Sequence, residues 1–548
     1  MSSQLKIPSH TKHHGKALFS PRRLIYNDTG ARVNHVKGFH RVFSIGDAHH
    51  CVSVLLLVAA LVLAIFKVWR SLRRDPLRDI PGPFFARWTP LWLAYHARRG
   101  RRYIAVDQLH KEYGTFVRIS PNHISVAHKD AIPVIYGQGN NAFHKSQFYD
   151  AFVGDKASVF STRDRQDHAQ KRRIVSQAFS YRALQQCEVF IHDIMSGFVK
   201  QLDKICETGK EVDALLWLNY LAFDVLSDLA FGESINMVVN ASDIVVVQNV
   251  DGSRTEEHAI SLVDEREHLA AVVGLHPALR ALSRFIPDPF FIRGRTSSYG
   301  LENMARLRVS KRISSGSQRD DILGKLIAAR MREGKDMTPE EVDILTAETV
   351  TLLIAGSDTT SNSLTAIIHL IITHPRIYTK LVTILEESIG DNVPEYNQVK
   401  DIQYLDATID EGLRHYATTA IGLHRSVPEQ GTICCGKYFP PGTEMSVPAW
   451  TIQHDQSIWG DPETFRPERW LESKELHRYL LTFGKGPRAC LGRNLAYMEM
   501  RLALATILLR YNIELNSDIL ETTEGFMHKP LKMMVKFSRR GSIDSPFD

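Results

Sequence analysis

From Leu91 onward, apolar residues return every three or four positions over most of the chain, and no other feature of the sequence constrains the fold as strongly. The runs Ala214 to Phe231, Val350 to Thr373 and Ala489 to Tyr511 each predict a long helix. Strand signals are few and local. Thr115 to Val126 reads as a hairpin turned at Pro121–Asn122, and Gly431 to Val447 alternates around Pro440–Pro441–Gly442. Barrel and doubly wound architectures need regular strand–helix alternation, so they are excluded; a mainly α body with a small β region is expected. No Gly/Ser/Pro-rich linker divides that body, which predicts one large domain over 91–548 behind an N-terminal appendage.

The appendage shows a sharp change of composition. Cys51 to Phe66 carries no charge and is followed by Lys67, Arg70, Arg73, Arg74 and Arg78. With the flanking Ile45–Gly46 and Val68–Trp69 it reaches the length of a membrane-spanning helix, so 45–70 is expected to be an uncleaved signal anchor. The dense downstream cations place the body on the cytosolic side. Residues 1–44, rich in Lys, Arg and His and without periodicity, are expected to be disordered, and Asn27–Asp28–Thr29 is a glycosylation sequon. Asp79–Ile80–Pro81–Gly82–Pro83 cannot continue a helix, which makes 71–90 a Pro-rich hinge.

Charge and cysteine usage narrow the function class. Lys and Arg number 67 against 61 Asp and Glu, a dispersed excess too small to suggest nucleic acid. The six cysteines (Cys51, Cys187, Cys206, Cys434, Cys435 and Cys490) form no CxxC pair and no disulfide framework, as expected in a reducing compartment.

One of them is framed for chemistry. In Phe483-Gly-Lys-Gly-Pro-Arg-Ala-Cys490-Leu-Gly492 the cysteine stands in a tight loop opening into a helical run. Such a loop aims backbone N–H groups and a favourable potential at the sulfur, which a thiolate ligand to heme iron requires. Gly484 and Gly486 permit the turn, Gly492 lets the helix approach a flat macrocycle, and Arg488 is placed to pair with a propionate. Gly484-x-Gly486-x-x-Ala489 also matches a dinucleotide fingerprint, but no βαβ unit surrounds it and no acidic residue follows in a strand, so that match is dismissed.

The segment from Phe483 to Gly492 resembles the heme-binding loop of the cytochrome P450 family, and the resemblance extends over roughly Pro81 to Phe537. It implies the fold of that family, a heme b cofactor with Cys490 as axial ligand, and a monooxygenase reaction that uses dioxygen and two electrons. Ala355-Gly-Ser-Asp358-Thr359-Thr360 resembles the family's oxygen-activating segment. The costly Gly and polar residues in mid-helix suggest a kink holding water. By that resemblance Thr359 would hydrogen-bond the activated dioxygen and Asp358 would help deliver protons. Glu411 and Arg414, with Arg469 in Phe465-Arg-Pro-Glu-Arg469-Trp470, resemble the family's buried Glu–Arg–Arg support, a structural group. His168 and Arg172, one helical turn apart, and Arg425 would grip propionates, with Phe483 and Gly484 beside the macrocycle.

No flavin or nicotinamide site is visible in the sequence, so electrons are expected from NADPH through a separate NADPH-cytochrome reductase, with a cytochrome b-type protein as a second candidate donor. Lys485, Arg493 and Lys171 are candidates for its basic docking face. The type resembled is the fungal microsomal one, which implies a single-pass protein of the endoplasmic reticulum membrane.

For substrate, the segments from Gly139 to Phe152, from Phe160 to Asp164 and from Thr418 to Arg425 resemble those of fungal benzoate para-hydroxylases. An aromatic carboxylate needs a cation or several donors. Asn140, Asn141, Lys145, Ser146, Thr418 and Thr419 are the candidates, with Leu353, Ile354 and Phe526 as an apolar wall. His424 departs from that pattern, where an apolar residue or Pro is expected. Two alternatives stand beside para-hydroxylation of benzoate. One is a tailoring oxidase of a terpenoid or polyketide pathway. The other is a heme-binding isomerase without oxygen activation, against which Thr359 and Asp358 argue.

Overall fold

The structure is a computed structural model that describes residues 75–139, 143–248, 252–330, 337–389 and 393–541, together with Leu55, Leu56, Val58, Ala59, Val62, Leu63 and Phe66. Those last residues are helical and exposed. The expectations for 1–44, for the sequon and for most of the 45–70 anchor lie outside the described residues. Among the described residues one helix, Ala214–Phe231, is long and apolar enough to cross a membrane, and it is buried in the body.

The main body begins at Asp75. From that point the expected hinge is not free. Leu77 and Ile80 are buried, and the Pro81 carbonyl accepts from the Arg118 N–H at 2.8 Å, so the segment is laid against the β region.

Helices make most of the body. They include α1 (Arg165–Ala178), α2 (Ala214–Phe231), α3 (Ala259–Val273), α4 (Pro339–Ile372), α5 (Gln403–Tyr416) and α6 (Arg493–Arg510). The α2 boundaries follow from local chemistry: the Asp213 carboxylate caps Leu215 N–H, and Gly232 ends the helix at φ 78°. The central helix α4 starts well before the expected Val350. Thr338 and Glu341 form a capping box with Pro339 in the first turn, and Glu340 and Glu341 face the positive end of the helix dipole.

α4 runs through the Gly356 region as one continuous helical span. Ser357 and Thr359 turn their hydroxyls back to the carbonyls of Leu353 and Ala355, each at 2.6 Å. Gly356 serves close packing, since a Cβ there would lie 2.5 Å from Leu226 Cγ on α2.

The β region is a five-stranded sheet of β1 (Phe116–Ser120), β2 (His123–Val126), β3 (His144–Lys145), β4 (Arg425–Ser426) and β5 (Glu444–Ser446), in the order β1-β2-β5-β4-β3. The first hairpin turns at Pro121–Asn122, as its residues predict. A second hairpin, β6 (Thr522–Glu524) with β7 (His528–Pro530), presents Phe526 and Met527 at its tip.

Candidate active site

The loop before α6 is built around Cys490. Its N–H donates to Phe483 O at 2.8 Å, and Gly484 and Gly486 hold φ of 62° and 67°. A Cβ on Gly486 would meet Tyr136 O at 1.9 Å, so only glycine fits that turn. The helix proper starts at Arg493, leaving Cys490 in the loop with Gly492 as the N-cap. Burial pushes the thiol pKa up, while the N–H groups of Gly492 and Arg493 and the Arg172 and Arg493 cations favour the thiolate. The surface that Cys490 exposes faces a cavity between α4 and α6.

A second cavity meets this one at His168, Arg172 and Arg488, and it is strongly cationic. Arg165, His168, Arg172, Arg173, Arg425 and Arg488 line it, and no described acidic side chain does. Burial and the surrounding guanidinium groups of Arg488, Arg172 and Arg425, with the Lys145 ammonium, press His168 down to about 3. Burial and Arg425 hold the Arg488 pKa down to about 10, and they push Lys145 well below its ordinary value. Arg172 donates to Ala489 O at 2.8 Å, and Arg488 donates to the carbonyls of Thr162, Arg163 and Asp164. Arg425 donates to Tyr149 OH at 3.0 Å. Lys145, expected as a cation for a substrate carboxylate, lines the cavity above Cys490 and also belongs to this group: its ammonium bonds Phe160 O and lies 4.0 Å from the centre of the Tyr149 ring.

These residues fit a heme. The thiol sits under N–H donors, the cavity above it has room for a macrocycle, and an uncompensated set of buried cations suits two propionates.

Opposite Cys490, α4 turns Leu352, Ala355, Gly356 and Thr359 toward the cavity. Leu353 and Ile354, expected on the wall, instead face the core: side chains one position along the helix point about 100° away. Thr418 and Thr419 do line the wall, the first bonded to Ser363 Oγ at 2.7 Å, the second to Met527 Sδ at 3.7 Å. Phe526 lines it too. Ser146 does not; its hydroxyl caps the turn at Phe148. Asn140 and Asn141 lie outside the described residues. Phe160 and Met527 complete the wall, and the sequence carries no local signal for Met527, which reaches the site only through the β6–β7 hairpin.

Asp358 is not on this wall. It faces a third cavity, lined also by Asp264, Glu267, His268 and Lys529, with the exposed Leu216 and Leu531 at its edge. Lys529 pairs with Asp264 and lies 3.8 Å from Asp358. Burial and the nearby Asp358 carboxylate raise Glu267 to about 8. Phe526 and Met527 border both this cavity and the one above Cys490.

The Glu411 cluster assembles as its resemblance implies. Arg414 donates to both Glu411 oxygens at 3.0 and 2.8 Å, Arg469 donates to Oε1 at 3.1 Å, and Trp470 Nε1 donates to Oε2 at 2.9 Å. The three expected docking cations are already engaged. Lys485 donates to His477 O, Lys171 to Ala157 O and Thr162 Oγ1, and Arg493 lies over the Phe483 and Tyr497 rings.

Known proteins are similar to this chain in sequence. Benzoate 4-monooxygenase of Aspergillus niger is 39% identical over 502 residues, covering 87% of this chain and 96% of that protein. A cytochrome P450 monooxygenase of Botryotinia fuckeliana is 33% identical over 84% of this chain and 85% of its own length. Pisatin demethylase of Fusarium vanettenii is 31% identical over 80% and 84%. The cytochrome P450 family model matches residues 81–537, and with a cysteine loop, a cationic cradle and a buried Glu–Arg–Arg cluster in one body, the chain belongs to the cytochrome P450 family, as a heme-thiolate monooxygenase that draws electrons from a reductase partner.

Proposed function

We propose that this monooxygenase hydroxylates an aromatic carboxylic acid, benzoate or a close relative, at the para position. The observation that carries the reading is the 39% identity with benzoate 4-monooxygenase across nearly the whole of both chains. The cavity supports it: Phe160 and Phe526 offer aromatic faces, and Thr418 and Thr419 offer hydroxyls beside them.

Each residue then has a task. Heme b, when bound, supplies the activation of dioxygen. Cys490 holds its iron, with the Gly492 and Arg493 N–H groups stabilising the thiolate, and Arg172, Arg425, Arg488, Lys145 and His168 hold its propionates. The Thr359 hydroxyl, on the cavity wall, passes protons to the reacting oxygen. Asp358, next in the chain and facing the acidic cavity, collects those protons from the solvent side.

The electron donor in this reading is an NADPH-cytochrome reductase, with a cytochrome b-type protein as a second source. The 45–70 segment anchors the protein in the endoplasmic reticulum membrane, lipid around it and catalytic body in the cytosol. Relatives of other names, a cytochrome P450 monooxygenase and a pisatin demethylase among them, favour a second substrate reading, a tailoring oxidation in a terpenoid or polyketide pathway.

Reduced protein with carbon monoxide should give a Soret band near 450 nm, about where thiolate ligation places it. Benzoate should then shift the ferric protein toward high spin and yield 4-hydroxybenzoate on turnover. A thiolate band without a benzoate shift or product overturns the substrate assignment and leaves the monooxygenase. Thr359→Ala should keep the thiolate band but lower product formed per NADPH consumed by about tenfold or more; unchanged coupling refutes the proton task of Thr359.

A further inference from the structure

His424, in the Thr418–Arg425 segment, is a titratable side chain that the heme site does not use. It is 3% exposed, and its Nδ1 makes no hydrogen bond. A buried imidazole nitrogen without a partner is costly and calls for a reason. The ring does not face the cavity above Cys490, whose wall takes the preceding Leu423. It packs flat against Phe148, centroids 4.1 Å apart at 11°, and its free edge turns into the five-stranded sheet.

There it meets two other ligand-type side chains. Glu444 of β5 pairs directly with His123 of β2, and the same residue pairs with Ser426 of β4, two positions after His424. Because strand side chains alternate, this register brings His123, Glu444, Ser446 and His424 to one face. Glu444 Oε2 lies 3.6 Å from His424 Nδ1, the His123 and His424 rings are 4.2 Å apart, and His123 Nε2 bonds Ser446 Oγ at 2.8 Å. One ligand atom from each of His123, His424 and Glu444 lies within 4.8 Å of the others.

We propose that His123, His424 and Glu444 bind a first-row divalent cation, zinc being the best match, as a structural clamp within the sheet. Two imidazoles and a carboxylate are zinc's ordinary ligands; at bonds of about 2.0–2.1 Å a tetrahedral site spaces its ligand atoms about 3.4 Å apart. The 3.6 Å between Glu444 and His424 is too long for a good hydrogen bond and close to that edge. Burial keeps both rings neutral, with lone pairs available for a metal. The Ser446 hydroxyl or a water completes the set. Of the two guanidinium groups that bear on His424, Arg102 is neutralised by Glu524 at 2.9 Å, and Arg425 is turned to the Tyr149 hydroxyl, where a propionate would offset its charge. The clamp would join β2 and β5 to the segment that carries Leu423 and Arg425 to the heme site.

The full-length heme-loaded protein, stripped with a chelator and re-equilibrated with zinc, tests this by elemental analysis beside the double variant His424→Phe, Glu444→Gln. The phenylalanine keeps the stack on Phe148, and an unchanged carbon monoxide band shows that the variant is folded. The wild type should hold one zinc more per chain than the variant and melt higher with zinc than without it. Equal uptake by the two overturns the site and assigns the zinc to other histidines, such as those of residues 1–44. If the variant does not load heme, zinc-edge absorption on the wild type decides. Two imidazoles with oxygen ligands support the clamp, and an imidazole-only or fully hydrated ion refutes it.

Discussion

Two groups of buried cations flank the heme cavity, and they are held in opposite ways. Around Glu411, the guanidinium groups of Arg414 and Arg469 meet the Glu411 carboxylate, and Arg469 also reaches Asp461 at 2.9 Å. Two positive and two negative charges close on one another, with Gln453 O, Thr464 O and Trp459 O taking the remaining donors. Around His168 the cations Lys145, Arg172, Arg425 and Arg488 gather with only carbonyls, a hydroxyl and aromatic rings as partners. A buried charge without a counter-charge is among the most expensive arrangements a protein can hold. The first group is therefore scaffold, complete in itself. The second has the chemistry of a receptor for anions, which the two propionates of a heme would supply.

The largest effect that separates the two is expected from Glu411→Gln. It leaves the buried Arg414 without a counter-charge and Arg469 with Asp461 alone, and should destabilise the protein by about 3–5 kcal/mol, read as lost folded yield or a much lower Tm that added heme does not restore. Lys145→Met should act in the other direction on the protein and against the cofactor. The unloaded fold gains from losing an unpaired buried amine, while heme is held about 1.5–3 kcal/mol less tightly, measurable as transfer to apomyoglobin roughly 10- to 150-fold more readily. If Lys145→Met destabilised the unloaded fold as severely as Glu411→Gln does, the distinction between scaffold and receptor would fail.

The smallest effect sharpens the comparison from the acidic side, at the cavity behind Asp358. Glu267 is raised to about 8 from its ordinary 4.5, so the folded state holds its proton more tightly than the unfolded chain does. Stability is then lost as pH rises between those two values. Glu267→Gln escapes that loss. Its Tm relative to wild type should climb by about 2 °C or more from pH 5 to pH 8, and a pH-independent gap would show that burial does not raise this carboxyl.

How far the sequence carried these features depended on how local they are. The Cys490 loop was legible because glycine conformation, capping and ligand chemistry all fall within ten positions, and α2 was legible because Asp213 and Gly232 bracket an apolar run. The start of α4 was written in Thr338–Pro339–Glu340–Glu341, a capping signal that the weak apolar pattern before Val350 obscured. Periodicity located that helix without fixing its rotation, and so Leu353 and Ile354 were expected where Leu352 and Ala355 stand. Asp358 was expected to deliver protons, but which side of the same helix it takes was not legible. Its neighbours Asp264, Glu267 and Lys529 come from α3 and the β6–β7 hairpin, and nothing in the spacing of so distant segments announces that they meet. Lys145, Lys171 and Lys485 made the same point in miniature, since a lysine's partner is set by tertiary packing.

The tip of the β6–β7 hairpin separates the cavity above Cys490 from the acidic one by a partition only as thick as Phe526 and Met527. Substrate pressing on one side of such a partition would alter the other, so, if Asp358 delivers protons as proposed, a ligand's bulk and the supply of protons are set by the same two side chains. Natural variation at Phe526 or Met527 would thus retune selectivity and electron economy together, and an engineered widening of the pocket there should be expected to carry leakage with it.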